Sequence, residues 1–354
     1  MKTCNFIHCF LVLGLLLAAR PVFSQAPTLG VQLYAGVNIT GTTGSLSAVQ
    51  AATSNLADSN SWVCVDLVRL TATNCLWTDT SKSAASGQRF YRTVSAATNL
   101  VYILPGTFTM GSPTNEALRG TDEVQHVVTI SKGFYIGKNL VTQGDYLAVV
   151  GSNPSYFTPA NGYSLDLARP VEAVKWAKAT NYCALRTANE QAAGLIPTNW
   201  VYRLPTESEW EYACRAGTVT AFCLSNGLVS AQANFDGQYG YNAVTGSITN
   251  LSGLLLNQTA DVGSYAPPNS WGLYDMIGNV HEWCSDWYGT YPTNMPGGSV
   301  PDPQGPATGP DHVLRGGSWS DRAESCRSAA RFYVTISNYR YYVVGFRVVL
   351  APAQ

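Results

Sequence analysis

The chain has 354 residues, with 21 Lys+Arg against 22 Asp+Glu, and its formal net charge of -1 offers no basic field for nucleic acid. Charged residues make up only 12%, yet 46% hydrophobic and 11% aromatic residues supply a core and exclude a disordered chain. With Gly 32 and Pro 18 the chain should be rich in turns, and no apolar run after residue 26 approaches the ~20 residues needed to span a bilayer.

Lys2 and the apolar run 10–19 predict a signal peptide over residues 1–26, with Ser24 and Ala26 offering small residues for cleavage. The expected address is therefore secreted, periplasmic or cell-envelope. Nine cysteines less Cys4 and Cys9 leave seven: 64, 75, 183, 214, 223, 284 and 326. In an oxidising compartment disulfides are expected, and an odd number leaves at least one thiol outside them. Residues 27–97 read as a small β-sandwich-like domain, because 31–35, 61–68 and 89–94 alternate with period two and are broken by Gly, Thr, Ser and Asn. A Cys64–Cys75 bridge between neighbouring strands is expected there.

The second domain is read over 98–354, with three helices. Thr142 caps one with Asp145 three residues on, and Gly151 ends it. Another runs from about Val171 through Trp176, Tyr182 and Leu185. The third opens with the capping box Thr206-Glu-Ser-Glu209 and ends before Gly217. Short strands and long Gly-, Pro- and Asn-rich turns fill the rest.

An ordered set of motifs runs through this domain. It comprises Gly106-Thr-Phe-Thr-Met-Gly-Ser112, Ser152-Asn-Pro-Ser-Tyr-Phe157, Arg169-Pro-Val-Glu172 and the segment from Tyr202 to Gly217. Gly272-Leu-Tyr-Asp-Met-Ile-Gly-Asn-Val-His-Glu-Trp283, Leu314-Arg-Gly-Gly-Ser-Trp319, Arg327-Ser-Ala-Ala-Arg331 and Val344-Gly-Phe-Arg347 complete it. In this order the motifs resemble the formylglycine-generating enzyme, or sulfatase-modifying factor, family. The resemblance implies an α+β, C-type-lectin-related fold with little regular secondary structure, preceded here by the small all-β domain.

It also implies a calcium site formed by Asp275, Gly278, Val280 and Glu282, through two carboxylates and two backbone carbonyls. Hard oxygen ligands of this kind suit Ca²⁺. On spacing alone, the two acids read as turn caps; the calcium site is what the resemblance implies. A second family calcium site would use Asn234 and the carbonyl of Phe235, but the stretch after Phe235 departs from the family's Asp-Gly-Phe segment. The family's oxidases hold Cu(I) with two cysteines three and eight residues beyond the Ser of Gly-Gly-Ser. Counted from Ser318, those positions are Asp321 and Cys326, and a hard carboxylate is a poor substitute for a thiolate on Cu(I). Copper is therefore not expected.

Cys326 has two readings. One is a catalytic nucleophile, with Ser318 lining an oxygen pocket. The other is a structural partner of Cys214, although the family's partner position corresponds strictly to Ser328. His281-Glu282-Trp-Cys lacks the second His of a zincin helix. The resulting expectation is a degenerate family member that binds a peptide or protein partner, sulfatase-like in the family, through the inherited groove. The alternatives are a formylglycine-generating oxidase acting on a substrate cysteine and a lectin-like glycan-binding module.

Overall fold

The computed structural model describes residues 11–12, 34–43, 45–53, 58, 61–80, 89–95, 99–250, 253–265, 267–291, 298–334 and 341–353. Apart from Leu11–Val12, the leader read over residues 1–26 lies outside the described residues. The chain divides into two compact units, one of residues 1–98 with 188–199 and one of 99–187 with 200–354.

The first unit carries β1 (Leu11–Val12), β2 (Tyr34–Thr40), β3 (Leu46–Ala52), β4 (Val63–Arg69), β5 (Asn74–Asp79) and β6 (Phe90–Ser95). They form two three-stranded sheets, ordered β1-β2-β5 and β4-β3-β6. Val37 and Ile39 from one sheet pack with Val49, Val65, Val68 and Tyr91 from the other, as alternating strands with one apolar face require. Residues 188–199 join this unit, where Gln50 Nε2 donates to the Gly194 carbonyl at 2.5 Å. Cys64 lies on β4 and Cys75 on β5, in different sheets, and both thiols are free. The expected bridge between neighbouring strands is thus absent, because closeness in sequence does not fix which sheet a strand joins.

The second unit is a mixed α+β fold of short strands and three helices. Its strands are β7 (Leu100–Ile103), β8 (Gly106–Met110), β9 (His126–Ile130), β10 (Phe134–Gly137), β11 (Trp200–Arg203), β12 (Gly227–Leu228), β13 (Tyr239–Asn242) and β14 (Ile248–Asn250). β15 (His281–Trp287), β16 (Val300–Pro301), β17 (His312–Arg315), β18 (Phe332–Tyr333), β19 (Val344–Gly345) and β20 (Val349–Pro352) complete the set. The helices are α1 (Gln143–Val150), α2 (Trp176–Ala192) and α3 (Glu207–Arg215). Both capping boxes form: Thr142 with Asp145, and Thr206 with Glu209. All nine residues of α3 are buried, with Trp210 at the centre of the main core. No helix among the described residues is long and apolar enough to cross a membrane.

So much irregular backbone inside a core leaves carbonyls without ladder partners, and those groups must be paired elsewhere. Buried arginines do this. Arg315 donates to the carbonyls of Ser328, Ala329 and Ala330 while pairing with Glu211. Arg347 reaches the carbonyls of Gly137 and Tyr274, and Arg215 that of Gly111.

Candidate functional site

The four-stranded sheet β18-β17-β15-β19 delivers two loops to one region, and the loop after α1 joins them there. The first follows β17. Gly316 and Gly317 have φ of +95° and +74°, and a Cβ on Gly317 would collide with the Cys326 sulfur. Only glycine fits this close approach at a positive φ. Cys326 therefore lies sealed beneath the turn, fully buried, with Sγ 3.7 Å from the Arg322 carbonyl. Burial pushes its thiol well above the usual range, and the nearby Asp321 carboxylate adds to that.

Asp321 is occupied as well. Its Oδ2 accepts from the Ser318 hydroxyl at 2.5 Å and lies 2.8 Å from His281 Nε2. Burial disfavours the charged form, but the His281 ring and the Ser318 hydroxyl outweigh it and hold the carboxyl below its ordinary range. The imidazole faces the carboxylate rather than the serine, so the three groups do not form a nucleophile–base pair. Their contacts tie the loop after β17 to the start of β15.

The second loop precedes β15 and carries the calcium set. Asp275 has φ of +54°, and its Oδ2 accepts from the Gly263 N–H at 2.7 Å. Burial pushes its carboxyl up to about 6 despite the bond from Gly263 and the charge of Arg347, and repulsion from Glu282 adds to the rise. Gly278, at φ +72°, pairs with Asn234, and a Cβ there would strike the Asn234 carbonyl. Glu282 stands opposite Arg315 on β17 and Gly345 on β19. Both its oxygens accept from Arg347, at 2.6 and 2.8 Å.

A carboxylate has about four lone-pair positions, so the guanidinium leaves Glu282 capacity for another ligand. Asp275 and Glu282 are near enough to repel, and the single guanidinium of Arg347 acts on both. Carboxylate and carbonyl oxygens are the donor types that suit a hard dication. The second set is poorer. Neither of its ligands, Asn234 Oδ1 and the Phe235 carbonyl, is charged; Asn234 Oδ1 is buried without a hydrogen-bond partner, and Nδ2 donates to the Gln258 carbonyl and the Asn279 amide oxygen.

The third loop, 152–163, brings aromatic rings. Phe157 packs edge-on to Trp319 at 5.8 Å, and Tyr156 lies 5.2 Å from Tyr342. Tyr163 closes on Phe157 at 4.9 Å. Phe157 and Trp319 form a buried floor, whereas Tyr156 is 42% exposed and Tyr163 and Tyr342 are half-buried. Beneath them, the fully buried Glu172 accepts from the Phe157 N–H at 3.0 Å, and its own N–H donates to Ser155 Oγ at 3.2 Å.

Comparison with known proteins places this geometry. Residues 87–352 match the sulfatase-modifying factor enzyme 1-like domain, also called the FGE-sulfatase domain. The chain belongs to this family. The formylglycine-generating enzyme of Mus musculus is 28% identical over 301 residues, covering 70% of this chain and 77% of that protein. The chaperone protein LppX of Paenibacillus barcinonensis is 32% identical over 197 residues, covering 46% of this chain and 64% of that protein. The serine/threonine-protein kinase pkn1 of Chlamydia pneumoniae is 35% identical over 164 residues, 46% of this chain but 21% of the kinase. Among solved structures, PvdO from Pseudomonas aeruginosa has a TM-score of 0.53 and 30% identity, covering 71% of this chain and 93% of that one. Treponema denticola variable protein 1 has a TM-score of 0.55 and 26% identity, covering 76% and 98%.

Within the family frame, the sequence had paired Cys214 with Cys326. The structure does not. Cys214 Sγ lies 3.5 Å from Ser328 Oγ, and all seven described thiols are free. Residues 323–326 form a tight helical turn, and this turn carries the Cys326 side chain toward Gly317 instead. Sequence reading also missed the His281–Asp321 contact, the Glu172 clamp and the rings of Tyr156 and Tyr342. Tyr156 and Glu172 lay inside quoted motifs, but nothing in their spacing showed that they meet.

Proposed function

We propose that this family member is an exported partner-binding protein that engages a peptide or protein segment through the aromatic face, rather than a formylglycine-generating oxidase. One observation carries the reading: the two positions counted as the copper pair are Asp321, bound to Ser318 and His281, and Cys326, buried under Gly317. One soft and one hard ligand do not suit Cu(I), and a sealed thiol does not trap a substrate cysteine. The half-exposed tyrosines over a packed Phe–Trp floor supply what interface anchors need, namely large rigid rings with polar tips. The relative named as a chaperone is consistent with a protein partner.

Two assays test this. Incubation with Cu(I), O₂, a reductant and a Cys-x-Pro-x-Arg peptide should give no aldehyde, and copper-dependent aldehyde lost in Cys326→Ser would restore the oxidase. Peptide-display selection on the wild-type chain should yield binders that lose roughly thirtyfold or more in affinity to Tyr156→Ala/Tyr342→Ala, the loss expected when hot-spot anchors are removed. Selection of glycans but no peptides would transfer the face to the lectin reading.

We further propose that Asp275, Gly278, Val280 and Glu282 hold a structural Ca²⁺. A ligand of the folded state at a hundredfold excess over Kd adds about 2.7 kcal/mol. Chelation should therefore lower the melting temperature by several degrees, and Glu282→Gln should abolish that response. The change also weakens the pair with Arg347, so the comparison is made within the variant, with and without chelator. Identical melting with and without chelator would remove calcium from the loop.

A further inference from the structure

We propose that the second unit binds a small zwitterion, a free amino acid or dipeptide, in a cavity of about 320 Å³ at the N-terminal end of α3. The cavity shares no residue with the aromatic face. It forms because β9 and β10, although consecutive in the chain, belong to different sheets, ordered β16-β9-β8 and β11-β20-β10-β7. The turn at 131–133 passes from one sheet to the other. The ends of β11, β16 and β20 and the first turn of α3 supply the remaining walls.

Room alone selects no ligand; the charges on the walls do. Arg203 and Glu209 neutralise each other through two bonds, at 2.6 and 2.7 Å, and Glu209 also accepts from the Thr206 N–H at 2.9 Å. Asp302 lies on another wall at φ +41°, a conformation that Asp adopts more readily than most residues. Its N–H donates to the Thr129 carbonyl at 2.9 Å, Oδ1 accepts from the Ser131 N–H at 2.8 Å, and Oδ2 accepts from the Ser131 hydroxyl. These donors are neutral, so the negative charge stays uncompensated. With about four lone-pair positions, the carboxylate also has capacity for another donor.

Lys132 follows Ser131 in the turn and lines the same cavity, yet among the described residues it makes no ion pair. Both charges are exposed to solvent, and they do not meet each other. A simple anion in the cavity would be repelled by Asp302, and a simple cation by Lys132. A zwitterion satisfies both, its carboxylate on the lysine and its ammonium on the aspartate. Phe134, Ala351 and Pro352 add an apolar wall against which an aliphatic side chain packs. Ligand pockets run from roughly 300 to 1,000 Å³, so this volume suits an occupant of one or two residues.

Isothermal titration of the full-length chain tests the site. The probes are leucine and Ala-Leu, each also in an N-acetylated form without the ammonium and an amidated form without the carboxylate. Leucine or Ala-Leu should bind, the stronger of the two naming the source, and each blocked form should bind about tenfold or more weakly, the loss expected when a charged hydrogen bond is removed. Lys132→Met should lower the free ligand to about the affinity of its amide. Asp302→Asn should lower it to about that of the acetylated form. Asn accepts the left-handed backbone and keeps an oxygen for the Ser131 N–H, so the urea midpoint should stay near wild type. Three results would overturn the proposal: no binding of either free ligand, blocked forms that bind as tightly as free ones, or a Lys132→Met variant with the wild-type preference for the carboxylate.

Discussion

Replacing Arg315 with leucine should destabilise the protein by about 3–5 kcal/mol, the cost of removing one partner from a buried ion pair. Arg315 is wholly buried between Glu211 and the carbonyls of Ser328, Ala329 and Ala330. Leucine fills part of the volume but leaves these three carbonyls without their donor. Glu211 would keep Arg215 at 2.8 Å and the Gly111 N–H at 2.9 Å, which tempers the charge left behind. Against a total stability of about 5–15 kcal/mol, such a loss moves the urea midpoint far toward water. Arg322→Ala is the control. That side chain is exposed and lies 4.2 Å over the Tyr239 ring, a contact worth about 0.5–1 kcal/mol. Similar midpoints for the two variants would show that the buried guanidinium is not what satisfies this irregular core.

That result bears on what can be read from a sequence of this kind. Both capping boxes were legible because an N-cap hydroxyl and a reaching carboxylate lie three residues apart, so the whole interaction is local. The middle helix was less so. The sequence placed its start near Val171, whereas the helix spans Trp176–Ala192 and the Val171 N–H donates to the Val141 carbonyl at 2.9 Å. Tertiary pairing there overrides the apolar pattern. The end of α3 before Gly217 was legible too: the helix closes at Arg215, and Ala216 takes the left-handed cap at φ +47°.

Long-range pairings were opaque for a simple reason. Glu282 meets Arg347 across 65 positions and Arg315 meets Glu211 across 104, and nothing local distinguishes these charges from solvated ones. The cysteines failed in the same way, since a disulfide depends on side-chain direction rather than on count. Motif order carried the family and the fold, but it did not reveal that Asp321 is held by His281.

Glu172 gives the remaining large effect, and its sign is the less intuitive one. Burial pushes this carboxyl from 4.5 up to about 7, against the opposing bonds from the Phe157 and Tyr156 N–H groups and the charge of Arg169. A carboxyl with a raised folded-state pKa binds its proton more tightly when folded. Its contribution is therefore fully present below about pH 4.5 and is lost as pH rises to about 7, by roughly 3 kcal/mol at 1.36 kcal/mol per unit. Glu172→Gln keeps an oxygen for the Phe157 N–H but carries no charge to bury. The variant should match wild type near pH 4.5 and exceed it by up to about 3 kcal/mol at pH 8. Asp286, also raised to about 7 by burial and by repulsion from Glu207, adds the same slope to both proteins and cancels in the difference. Urea unfolding at four pH values between 4.5 and 8 measures that difference. A gap that stays constant with pH would mean the carboxyl titrates alike in both states, and the loop bearing Tyr156 would then rest on an ordinary hydrogen bond rather than on a strained buried charge.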